Sequence, residues 1–108
     1  MYHITPIRNV PSILRSGIIP NYRYGIGLGR KFNNIFLTDN VQYIIMHQTG
    51  LRWLHKEKAI ILKVDCNNLE INPVVHNITG LPVISPHEFV VTGIIHPNRI
   101  IEIDCVIH

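Results

Sequence analysis

The apolar positions of this chain fall into short runs of isoleucine and valine, interrupted by two stretches at helical spacing. Tyr2, His3 and Ile4 read as a short strand that Thr5-Pro6 stops, because proline has no N–H for a ladder. Val10, Ile13 and Leu14 then share one helical face, with Asn9 or Val10 as the cap and Pro11 in the first turn, where a missing donor costs nothing. Gly17 offers the left-handed residue that closes such a helix, and Pro20 forbids an early restart. "IFLT", Ile35 to Thr38, is a short buried strand. Asp39, with Gln42 three residues on, has the pattern of a capping box for a second helix whose inner face is Val41, Ile44 and Ile45. Gly50 either ends that helix or bends it before "LRWLHKE". "AIILKVDC", Ala59 to Cys66, is apolar on both faces at its start and reads as a central strand. Residues 67–86 hold three prolines and no period, which predicts irregular chain with short extended pieces. "EFVVTG" is a further strand, "HPNRI" a turn, and "IIEIDCVI", Ile100 to Ile107, a last alternating strand.

Short β-branched runs around two short helices give an α+β class, and 108 residues without a repeat or a linker give one domain, residues 1–108. The chain is 46% hydrophobic and 16% charged, against roughly 25% charged in an average domain, which excludes disorder. No apolar run approaches the roughly 20 residues of a membrane span, and no charged-then-apolar leader opens the sequence. These features set the expectation of a soluble cytoplasmic protein with no membrane partner. A net charge of +3 fits an anionic ligand without proving a nucleic-acid partner. Cys66 and Cys105 end similar runs, "LKVDC" and "IEIDC", so they could be neighbours in one sheet, as a disulfide or as reduced thiols.

Seven histidines raise the question of a metal, but no HExxH or paired Cys/His spacing occurs, and none is expected. His87 and His96 flank a strand and could converge, as could any two residues so placed. "NYRYGIGLGRKFNN", Asn21 to Asn34, is too long and glycine-rich for a simple turn. It lacks the GxxxxGK[ST] of a phosphate loop, yet Arg30 within it could make a bidentate contact to a diphosphate, the alternative being a solvated basic loop. Glu88 follows Pro86-His87 and precedes an apolar strand. A carboxylate there is either an edge gatekeeper or a catalytic group aimed into a cleft.

In order along the chain, "YHIT…N…SIL.SGI.P", "IFLTDN", "AIILKVD" and "EFVVTGIIHPNRI" resemble the small ADP-ribosyltransferase-fold families. The opening is especially similar to DarT-type DNA ADP-ribosyltransferases and more distantly to KptA-type RNA 2′-phosphotransferases. The resemblance implies a split, bent β-sheet of the ADP-ribosyltransferase type, with two short helices, around a cleft for NAD as co-substrate. It places the N-terminal, Ala59 and Glu88 strands in one such sheet. His3 would bond a ribose hydroxyl, the backbone near Ile4 would grip the nicotinamide carboxamide, and Thr5 would support the strand end. Asn9 would reach the cleft from the helix start, Arg30 would pair with the diphosphate or the reacting centre, and Phe36 to Thr38 would shape the nicotinamide pocket. Glu88 would be the catalytic acid. Tyr22 or Tyr24 could stack on a ring or serve as a packing lid.

The activity implied is that of an NAD-dependent transferase, a toxin-like enzyme modifying DNA or another nucleic-acid acceptor. Two departures bear on it. Pro86 stands where the arginine-modifying branch has Gln or Glu two positions before the catalytic acid, and the chain is much shorter than the DarT or KptA types. The rival readings are a nucleotide- or nucleic-acid-binding module without catalysis, in which Glu88 is structural, and a KptA-like phosphotransferase. The acceptor and the oligomeric state are not written in the sequence.

Overall fold

A computed structural model describes residues 1–20, 34–47 and 56–105. Among them are six strands, two α-helices and two 3-10 turns: β1 (Tyr2–Pro6), a 3-10 turn (Ile7–Asn9), α1 (Val10–Ser16), β2 (Asn34–Leu37), α2 (Val41–His47), β3 (Ala59–Val64), β4 (Asn72–Ile78), β5 (Leu81–Thr92), a 3-10 turn (Pro97–Arg99) and β6 (Ile100–Cys105). The fold is α+β, as the apolar pattern predicts. No described helix is long and apolar enough to cross a membrane.

The strands form two antiparallel three-stranded sheets, ordered β1-β3-β6 and β2-β5-β4. β3 is central in the first, as its apolar run requires. Of the three strands expected in one split sheet, the N-terminal and Ala59 strands pair with each other, while β5, which carries Glu88, belongs to the second sheet. The sheets meet at one seam. There Tyr2 N–H donates to the Thr38 carbonyl at 2.8 Å and Thr38 N–H to the Tyr2 carbonyl at 2.9 Å.

The core lies between the sheets and α1. Ile60, Leu62 and Val64 of β3 pack with Ile35 and Leu37 of β2, Val91 of β5, Ile13 of α1, and Ile18 and Ile95. Leu62 and Ile95 are fully buried. Removing each such aliphatic side chain from water contributes about 1.5–3 kcal/mol. α1 enters this core through Ile13 and, less deeply, Val10, whereas Leu14 is exposed. Gly17 ends α1 at φ +86°, and the chain turns at once to pair Ile18 with Ile95 through bonds of 2.8 and 3.0 Å.

Several boundaries differ from the sequence reading. β1 continues through Thr5 to Pro6, which pairs with Ala59 at the strand's last position, where the missing donor breaks no further bond. Residues 72–86 are not irregular: β4 and the first half of β5 form a hairpin around Thr79-Gly80. Its prolines occupy tolerant places. Pro73 lies near the start of an edge strand, Pro82 lies where β5 pairs only with β4, and Pro86 lies in an irregularity of β5. Asp39 does not cap α2; Asn40 does, its Oδ1 accepting the Tyr43 N–H at 3.0 Å. Cys66 and Cys105 are free and not neighbours, since Cys105 faces Ile60 while Cys66 lies beyond the opposite end of β3.

Candidate functional site

The site grows from a mismatch in the second sheet. β4 and β5 are in register at Pro73–Phe89 and again at Val75–Ile84. Between these pairs a single residue, Val74, faces Ser85, Pro86, His87 and Glu88. The surplus is expelled as a wide bulge, a device that re-aims side chains and recurs beside active sites. Sequence supplies the reason: Pro86 cannot donate to a ladder, and His87 adopts φ +62°, a conformation only a few per cent of non-glycine residues take.

Two side chains leave this bulge in partnered states. The Glu88 carboxylate accepts a bond from the Ser85 hydroxyl, and His76 Nε2 of β4 lies 3.7 Å from its Oε2. The Glu88 side chain is only 16% exposed. It is therefore not a solvated gatekeeper on a strand edge. These partners steady a carboxylate that is largely, though not fully, withdrawn from water. The His87 imidazole turns to the start of α2, its Nδ1 2.7 Å from Asp39 Oδ1 and its ring 4.7 Å from the ring of Tyr43. Tyr43 in turn stacks on His47 at 4.1 Å, and the His47 Nδ1–H donates to the Tyr43 carbonyl at 2.8 Å.

The other side of the site is the seam between the sheets. The His3 Nδ1–H donates to the Phe36 carbonyl at 2.9 Å, joining β1 to β2 one step from the Tyr2–Thr38 bridge. Burial lowers the His3 pKa, and the Phe36 carbonyl opposes that only in part. The imidazole is thus neutral at pH 7, with Nδ1 as its donor and Nε2 left as an acceptor. β2 is the element shared by both halves. On one side it meets His3; on the other Leu37 pairs with Phe89, the residue that follows Glu88.

The remaining expected residues are placed as follows. Ile4 is half-buried and pairs with Ile61, while Thr5 is buried and its Oγ1 accepts the Asn9 Nδ2–H at 3.2 Å. Asn9 is accordingly tied to Thr5 and makes no side-chain cap bond to α1. Phe36 is 59% exposed, an open ring on the face of β2 opposite the core residues Ile35 and Leu37. Thr38 is buried, and its Oγ1 accepts the Asn40 N–H at 3.0 Å, turning the chain into α2. Arg30, Tyr22 and Tyr24 lie outside the described residues.

Sequence reasoning missed Ser85, His76, Asp39 and Tyr43 as neighbours of the bulge. Asp39 was legible only as a cap, because the adjacent Asn40 is an equally good capping residue and took the role. His87 and His96 do not share a task, since His96 Nδ1 accepts the Asn98 N–H at 3.4 Å in the second 3-10 turn. Among the described residues no group of His, Cys, Asp or Glu is arranged to hold a metal ion.

No family model, no curated protein and no solved structure matches the chain. A functional reading therefore stands on the residues themselves.

Proposed function

We propose that the protein is an NAD-dependent ADP-ribosyltransferase, with Glu88 as the catalytic carboxylate and His3 as part of the wall that receives the dinucleotide. The observation that carries this reading is Glu88: a carboxylate 16% exposed, set in a four-residue bulge and next along the chain to Phe89, which pairs with β2, the strand whose Phe36 carbonyl bonds His3. Breaking the bond between nicotinamide and ribose builds positive charge on the sugar. A fixed carboxylate beside the ribose 2′-OH stabilises that charge, an electrostatic effect that is large in a site shielded from water. The same group can take a proton from the incoming nucleophile.

The described residues suit the substrate. The Nε2 lone pair of neutral His3 is an acceptor for a ribose hydroxyl, and the exposed Phe36 ring offers a flat apolar surface to the nicotinamide. Arg30 is assigned the diphosphate in this reading, and a net charge of +3 attracts a polyanionic acceptor such as a nucleic acid.

The test is release of nicotinamide from labelled NAD in the presence of DNA, RNA or protein acceptors. Glu88→Gln keeps the size and much of the ground-state hydrogen bonding, so NAD affinity should hold while turnover falls roughly a hundredfold or more. Undiminished release from a correctly folded Glu88→Gln protein removes Glu88 from the mechanism. Binding of NAD without any release identifies a non-catalytic nucleotide-binding module instead.

A further inference from the structure

We infer that Asp39 and His87 form a clamp that holds the Ser85–Glu88 bulge in shape, making His87 a positioning residue for the Glu88 carboxylate. The functional consequence rests on Glu88 being the reacting group; the clamp itself does not.

Three independent features support it. First, His87 sits at φ +62° in a strand, a strained backbone state for a non-glycine residue that persists only when surrounding structure over-determines it. Second, what holds it is a side-chain pair that extends the sheet. Leu37 opposes Phe89 in the last ladder pair, and two residues beyond it on each strand the Asp39 and His87 side chains meet at 2.7 Å. Third, the Tyr43 ring, stacked on His47, lies against the imidazole. These contacts fix the residue immediately before Glu88 to the start of α2, while Ser85 and His76 hold the carboxylate itself.

The division of labour is specific. Asp39 is not needed to cap α2, because Asn40 does that through the Tyr43 N–H. It is half-exposed, so it has little packing role either. Its contact to His87 sets the torsion of the peptide that leads into Glu88. A displacement of about 1 Å at a reacting group can cost as much as a hundredfold in rate.

The experiment compares Asp39→Ala, which releases the clamp from the helix side, with His87→Gly, which accepts the left-handed backbone but has no side chain to hold it. His87→Asn is the conservative variant, since Asn tolerates positive φ and keeps an N–H donor. The first readout is the carboxyl carbon resonance of Glu88 in selectively labelled protein, which needs no turnover. The second is nicotinamide release. Asp39→Ala and His87→Gly should both move the Glu88 resonance and lower kcat by roughly ten- to a hundredfold with KM for NAD within about threefold, while His87→Asn falls between them and wild type. An unmoved Glu88 resonance in folded Asp39→Ala and His87→Gly overturns the clamp. Should the wild type release no nicotinamide with any acceptor, the transferase reading fails, and the same spectra still decide whether the clamp exists.

Discussion

His3 carries a consequence that reaches beyond ligand contact. Its imidazole is neutral in the fold because burial lowers its pKa from 6.5, an effect larger than the opposing bond to the Phe36 carbonyl. The unfolded chain therefore takes up this proton at a higher pH than the folded one. Stability from this residue is complete above pH 6.5 and falls as acidification carries the solution below 6.5 toward the lowered folded value. Urea unfolding at pH 7.5, 6.5 and 5.5 should show wild type losing stability on acidification, and His3→Gln should lose distinctly less. Equal slopes for the two proteins would place the acid sensitivity elsewhere. Cys66 behaves in the opposite range: burial raises its thiol pKa, so it holds its proton and is a poor nucleophile near neutrality.

At the scale of elements, the junction after α1 is the most demanding. Gly17 adopts φ +86°, and a Cβ there would overlap the Ile95 carbonyl oxygen, the acceptor of the Ile18 N–H. Gly17→Ala must either strain the backbone or break that pairing. It should destabilise the protein by about 2 kcal/mol or more, read as a lowered midpoint in denaturant melts with an unchanged slope. Gly93, also at positive φ but with open space around its Cβ position, should cost less when changed to Ala. This junction was legible in the sequence, since Ser-Gly after a short amphipathic run announces a helix stop. β3 was legible too, because "AIILKV" has no other stable home than a central strand. The β4–β5 hairpin was not, because three prolines hide an extended pattern unless each is known to fall on an edge, beside a turn or in a bulge. The bulge itself depends on a pairing mismatch between two strands, which no single stretch of sequence displays. Glu88 stood out as an acid before an apolar strand, a position that fits an edge gatekeeper as well as a catalytic group. Its partners did not, since Ser85, His76 and the Asp39–His87 pair are set by register.

For the molecule as a whole, the two sheets share one core, and among the described residues a single backbone bridge, at Tyr2 and Thr38, joins β1 to the end of β2. The proposed dinucleotide would lie across this seam, touching His3 on one side and Glu88 on the other, and so would bind only the assembled fold. NAD at a hundredfold excess over its Kd should then add about 2.7 kcal/mol of stability and raise Tm accordingly. His3→Ala should shrink that rise, and no rise at saturating NAD would exclude it as the ligand of the free protein. The register also dictates an order of assembly. β4 and β5 meet through a two-residue turn, Ile78 opposite Leu81, and such local hairpins close in about 1–10 μs. β1 must instead find Ala59–Lys63 and Thr38, partners far along the chain, and loop-closure entropy delays contacts of that kind. During synthesis, β1 thus waits for Thr38 and then β3 to emerge before it is paired. When the whole chain refolds, by contrast, the Glu88 bulge can take shape early on this local hairpin. His3 is seated only with the long-range pairing of β1, so in the proposed reading competence to hold NAD arrives with that step.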